Sequence, residues 1–138
     1  MASSLDSFIQ HSRPPPEILA TSQEIRDRAS TFVAYALRAR NAKEAEAAVN
    51  HIRRVLHGAK PASHEMSAWR WMTLKSGRTG LGEGAEDDFE VQSGSNDDGE
   101  RWGGSKILTV MKEEGVLDAV VVVSRWCVII GLALCFLK

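Results

Sequence analysis

Four consecutive valines, Val120 to Val123, lie inside a stretch from Leu117 to Trp126 whose only charged side chains are Asp118 and Arg125. An unbroken β-branched run of this kind has no polar face to offer water. It predicts a central strand covered on both faces. The same residues open a longer apolar stretch, Ala119 to Leu137, that reads on average as a membrane-spanning helix. Against that use, Arg125 costs about 2.5 to 3.5 kcal/mol on an insertion scale, and too few residues follow it to span a bilayer alone. One segment cannot serve both a sheet and a bilayer, so a water-soluble core strand is expected ahead of a tail anchor.

A chain of 138 residues, 43% hydrophobic and 25% charged, suits one hydrophobic core and argues against disorder, collagen or a disulfide scaffold. The formal net charge of −1 gives no bulk attraction for nucleic acid or an anionic membrane, which leaves only local basic patches for such contacts. Cys127 and Cys135 are too few and too close for a disulfide framework, so a reduced, intracellular setting is the default. The first twenty residues, with Asp6, Glu17 and Pro14 to Pro16, do not read as a secretory signal. Residues 1–24 are expected to form a flexible leader without a role in the fold.

The run from Thr31 to Leu37 predicts the first strand, with Phe32, Ala34 and Ala36 on one face and Val33, Tyr35 and Leu37 on the other. Next comes a helix over 42–57. Asn41 and Glu44 have the spacing of a capping box, Ala45, Ala48, Val49, Ile52, Val55 and Leu56 form an apolar stripe, and Gly58 is placed as a left-handed terminator. Ser63 to Leu74, with Trp69 and Trp71, predicts a second strand. A Gly-rich acidic loop is expected over about 76–96, holding a short strand near Phe89 to Gln92 and a turn over Ser93 to Gly99. A second helix is expected over 105–114, capped by Ser105, burying Ile107, Leu108, Val110 and Met111, and closed by Gly115.

Four blocks carry a family resemblance. Asp27 to Ala34 makes the first, Ala62 to Arg70 the second, Asn96-Asp97-Asp98-Gly99-Glu100-Arg101-Trp102-Gly103-Gly104-Ser105-Lys106-Ile107-Leu108 the third, and Val120 to Trp126 the fourth. In this order they resemble the Impact family, over about 25–126. The resemblance implies an α/β (α+β) domain, a two-layer sandwich of a small sheet packed against two helices with ribosomal-protein-like topology. It also implies a cytosolic, stress-linked regulator of translation that binds a protein partner and competes for the activator of the starvation-responsive kinase acting on initiation factor 2. Beyond Trp126 the sequence departs from the family pattern. Cys127, Val128, Ile129 and Ile130 stand where an aromatic residue and a glycine turn are usual, so 127–138 is expected to be an atypical apolar tail.

Each cluster with chemical potential also has a plainer reading. Asp97, Asp98 and Glu100 could supply oxygen ligands to a cation, but one short acidic run falls short of a ligand set, and a turn before a helix accounts for it. Gly103 and Gly104 could cradle a phosphate through free amides, although no Walker or dinucleotide fingerprint accompanies them. His64 lies on the opposite strand face from its neighbours Ser63 and Glu65, and is expected to meet Asp97, Asp98 or Arg125 across the sheet as a structural histidine. His11, His51 and His57 are assigned to leader and helix-surface positions. Arg53, Arg54, Lys60, Arg70, Lys75 and Arg78 could form a basic face for RNA or the ribosome, with Trp69 or Trp71 stacking on bases. Core packing is the better account of those aromatics.

The resulting expectation is a non-enzymatic interaction module without metal or cofactor and with no small-molecule substrate identified. The family blocks nominate His64, Arg70, Asp97, Asp98, Gly99, Glu100, Gly104 and Arg125 as its binding surface.

Overall fold

The valine run occupies the middle of a six-stranded sheet. The computed structural model describes residues 14–127 and runs β1 (Ile18–Thr21), β2 (Ile25–Asp27), β3 (Ser30–Arg38), α1 (Ala42–His51), β4 (His64–Leu74), β5 (Phe89–Asn96), α2 (Gly103–Glu113) and β6 (Ala119–Cys127). The order across the sheet is β1-β3-β6-β4-β5, with β2 also paired to β3 and every pairing antiparallel. This is the expected α+β class, a sheet with two helices packed on it.

Register decides which side chains share a face. Tyr35 opposes Val122 and Leu37 opposes Val120 on β3 and β6, while Ser67 and Trp69 of β4 oppose the same valines from the other side. This first face receives α1, and Leu37, Val120, Val122 and Trp71 close with Ala45, Ala48 and Ile52 into the main core. The second face carries Met66, Ala68, Arg70 and Ala119, and α2 lies against it, with Gly103 on Met66 and the Arg70 guanidinium reaching the carbonyls of Met111 and Val116. One helix per face refines the two-layer picture. It also makes the covering of the valine run unequal: Val120 and Val122 are fully buried, whereas Val121 and Val123 on the second face are only partly so.

Several sequence-based expectations need correction. Ile18–Thr21, read as leader, adds β1 to the sheet edge by pairing with Tyr35, Ala36 and Leu37. β5 does not stop at Gln92 but continues to Asn96, because Gly94 makes room for the Trp69 indole, which a Cβ there would approach to 2.5 Å. α2 begins at Gly103 rather than Ser105. The Ser105 hydroxyl donates to the Trp102 carbonyl, and Trp102 turns the chain into the helix with a left-handed φ of 69°. Within α2, Met111 is buried but Val110 is exposed. Gly115, with φ 65°, ends the helix as anticipated. The acidic loop is anchored despite its composition: Asp88 accepts from the Gly80 amide at 3.2 Å, and Lys75 Nζ donates to the Asp87 carbonyl at 2.7 Å.

The strand Ala119–Cys127 excludes one uninterrupted apolar helix from Ala119 to Leu137. Among the described residues, no helix is long and apolar enough to cross a membrane. The rest of the expected tail, with Cys135, and the start of the leader, with His11, lie outside the described residues.

Candidate functional site

The start of α1 follows its sequence signature. The Glu44 amide donates to Asn41 Oδ1 at 2.9 Å, and the Glu44 carboxylate returns to the Arg40 amide at 2.8 Å, one residue before the usual capping-box partner. Its end does not follow. From Ile52 to Leu56 the helix widens into a π-helical turn, and the His57 amide bonds to the Ile52 carbonyl, five residues back. The extra residue shifts the inward-facing register by one position. Val55, 65% exposed, and Leu56 therefore leave the core they were expected to join, and His57 enters it. Gly58 is not left-handed; it is needed because a Cβ would strike the Arg54 carbonyl oxygen.

Placed this way, the buried His57 sits between Tyr35 on β3 and Glu65 on β4. Its Nε2 is 2.8 Å from the Tyr35 hydroxyl and its Nδ1 3.4 Å from Glu65 Oε1. The tautomer that satisfies both partners has Tyr35 donating to Nε2 and Nδ1–H donating to the carboxylate. Arg53 Nε donates to the other Glu65 oxygen at 3.2 Å, and Trp126 meets the imidazole edge-on at 4.5 Å between centroids. Glu65 is 3% exposed, so this network is what makes its charge tolerable in the interior. Ser124, the register partner of Glu65, is fully buried and its hydroxyl has no hydrogen-bond partner.

Burial, and then the nearby Glu65 charge, raise the Tyr35 pKa above the ordinary 10.0. A folded-state value above the unfolded one contributes stability that is intact below pH 10 and is lost as pH rises through the folded value. Tyr35 is the only tyrosine of the chain. Its near-ultraviolet phenolate absorbance is therefore expected to titrate with a midpoint above 10.0, and Glu65→Gln should lower that midpoint without abolishing the shift. A midpoint at or below 10.0 would show that the hydroxyl is not enclosed as described.

A second cluster occupies the other face at the same end of the sheet. Arg125 is buried, donates to Ser30 Oγ at 3.0 Å, forms an ion pair with Glu100 and lies 5.6 Å over the Phe32 ring. His64 is the register partner of Arg125, and its Nδ1 donates to the Asp98 carbonyl at 2.9 Å. Asp98 joins the two faces. While its carbonyl holds His64, its carboxylate accepts the Glu65 amide at 2.8 Å and lies 3.7 Å from the Arg53 guanidinium. That double reach is set by the tight turn, in which Asp98 (φ 45°) and Gly99 (φ 82°) are both left-handed and Asn96 Oδ1 accepts the Asp98 amide.

Of the eight residues nominated from sequence, His64, Asp98, Gly99, Glu100 and Arg125 come together in this cluster, where a Cβ on Gly99 would come within 3.4 Å of the His64 ring. Asp97 adjoins them but caps α2, accepting the Gly104 amide at 2.8 Å and the Trp102 amide at 3.4 Å. Gly104 lies against Asn96, where a Cβ would come within 2.8 Å of backbone atoms. Arg70 is apart, satisfying carbonyls at the C-terminal end of α2. Tyr35, Arg53, His57, Glu65 and Ser30 were not nominated. The signal present for them was a carboxylate, Glu65, embedded in a strand with apolar neighbours, which demands buried donors.

The chemical alternatives weighed from sequence find little support in this geometry. Asp97, Asp98 and Glu100 face three different partners, and among the described residues no three His, Cys, Asp or Glu side chains converge to hold a metal. The amides of Trp102 and Gly104 bond Asp97 and that of Gly103 bonds the Glu100 carbonyl, so they are not free for a phosphate. The basic face is dispersed: Arg53 pairs with Glu65 and Asp98, Arg78 lies 3.6 Å from Asp88, and Arg70 turns toward α2. Trp69 and Trp71 stack on each other at 6.3 Å, Trp71 inside the main core and Trp69 packed against it.

The sequence profile of the Impact N-terminal domain matches residues 28–133. The chain belongs to the Impact N-terminal domain family. A curated relative, the Protein IMPACT homolog of Saccharomyces cerevisiae, is 33% identical over 112 residues, covering 81% of this chain and 38% of that protein. The chain thus spans well under half of the curated relative's length. Among solved structures, the two-domain translational regulator Yih1 superposes with a TM-score of 0.55 at 30% identity, covering 88% of this chain and 42% of that one. A crystal structure titled only as an hypothetical protein gives a TM-score of 0.57 at 24% identity, covering 86% and 51%, and supports the fold alone.

Proposed function

We propose that this Impact-type domain is a non-enzymatic interaction module in the control of translation, presenting the Asp98–Gly99 turn and His64 to a protein partner. The observation that carries the reading is the division of labour at the turn. The half-buried His64 on one face and the buried Glu65 on the other hold it, while Asp98 and Gly99 remain exposed on the outside. Titratable groups in the seam are committed to one another, an arrangement suited to fixing a shape rather than to turning over a substrate. The similarity to Yih1, described as a translational regulator, and to the yeast IMPACT homolog supports a role in translation control. The reading extends to competition for the activator of the starvation-responsive initiation-factor kinase, in the cytosol.

The test is capture of that purified activator by the full chain, with and without ribonuclease, alongside the Gly99→Arg and Asp98→Asn variants. Ribonuclease-resistant capture, reduced at least tenfold by Gly99→Arg in a variant that keeps its cooperative melt, supports the proposal. Absence of capture by the parent chain, or undiminished capture by Gly99→Arg, overturns it.

A further inference from the structure

We propose that the cleft between the β2–β3 hairpin and the loop entering β4 binds a nucleotide, with Arg28 and Lys60 taking the phosphates and the indole of Trp126 taking the base. The cleft has a volume of about 890 Å³, and its lining includes Arg28, Ser30, Thr31, Lys60, Ser63 and Trp126 together with the paired Glu24 and Arg26. That size falls within the range of sites for small ligands, roughly 300 to 1,000 Å³.

The cleft brings two uncommitted cations together. Several cations elsewhere are committed: Arg53 to Glu65, Arg78 to Asp88, Arg125 to Glu100, and Arg70 to the Met111 and Val116 carbonyls. Here Glu24 holds Arg26 at 2.9 Å, and among the described residues neither Arg28 nor Lys60 has an acidic partner. Arg28 also holds the hairpin turn at φ 56°, a left-handed conformation that Gly or Asn would adopt more easily. Two unpaired cations at the mouth of one cleft attract a polyanion.

Trp126 supplies the second half of the recognition. Its Nε1–H is committed to the Lys60 carbonyl at 3.0 Å and His57 packs against the ring, so the indole is held in place while remaining half-buried at the cleft wall. A fixed aromatic surface beside cations is the arrangement on which a base stacks while its phosphates are neutralised. The hydroxyl-bearing Thr31 and Ser63 on the same lining suit a ribose.

Intrinsic tryptophan fluorescence of the full chain, titrated with adenosine triphosphate, with a uridine octaribonucleotide and with inorganic tripolyphosphate, tests this. The expected result is saturable quenching by at least one of the two base-bearing probes, with a Kd below about 1 mM. Tripolyphosphate should bind at least tenfold more weakly. Arg28→Glu and Lys60→Glu, both on the surface, should each weaken binding at least tenfold, and Trp126→Phe should remove the quenching. For the octaribonucleotide, the dependence of log affinity on log salt should fall by about 0.7 per cation removed. Binding of the triphosphate alone identifies a free nucleotide as the ligand, and tighter binding of the octaribonucleotide identifies a single strand. No saturable response to either, equal affinity for tripolyphosphate, or unchanged affinity in the Arg28→Glu, Lys60→Glu double variant overturns the proposal. If Trp126→Phe fails to fold, the two charge reversals still decide it.

Discussion

Val122→Asp is expected to abolish cooperative unfolding altogether. Val122 is fully buried at the centre of the core, opposed by Tyr35 and Ser67 and covered by α1. Removing its side chain forfeits about 1.5 to 3 kcal/mol of burial, and an unpaired carboxylate in its place adds several kcal/mol more. The sum takes most of the roughly 5 to 15 kcal/mol that a domain of this kind has available. Val121→Asp, one residue earlier, is the control. Val121 faces the second side, where covering is incomplete, so its carboxylate reaches water and the cost should be about 1 to 2 kcal/mol. Thermal unfolding followed by circular dichroism separates the two. Equal effects would mean that the faces have been wrongly assigned.

Arg125→Ala should be the most damaging change at the polar end of the sheet, at about 3 kcal/mol. It strands Glu100, deprives Ser30 of its donor and removes the cation over Phe32. Breaking a buried ion pair by deleting one partner usually costs about 3 to 5 kcal/mol, and the partial exposure of Glu100 places this case at the lower end. Arg125→Lys should recover little, because an ammonium cannot bond Ser30 and Glu100 through a fixed fork. In a denaturant double-mutant cycle, Glu100→Gln should cost much less once Arg125 is gone. Additive losses would show that the pair is not coupled.

The parts of the fold legible in the sequence were those fixed by local pattern. The valine run declared β6, alternation declared β3, and Asn41 with Glu44 declared the start of α1. The acidic turn was legible as a turn, and the opposite facing of His64 and Glu65 followed from strand geometry. What escaped were features decided by distant partners. β1 has no strong pattern of its own and exists because β3 offers it an edge. The continuation of β5 through Gly94 depends on Trp69, many residues earlier, needing that space. The π-helical turn could not be read from Ile52 to Leu56, since the stripe there is consistent with ordinary winding; the pull comes from Glu65 and Tyr35 on two other strands. For the same reason the site was only half visible. Motif residues on the second face could be named, but their counterparts on the first face are tied to them, among the described residues, through the Asp98 side chain.

That turn has a consequence for anyone who would idealise the protein. Excising one residue between Arg53 and Leu56 would give a tidier cylinder and return two aliphatic side chains to the interior, yet it would swing the imidazole outward and leave a carboxylate with one fewer counterpart. Regularity and completeness are opposed here, and the irregular winding is the version that leaves no anion stranded.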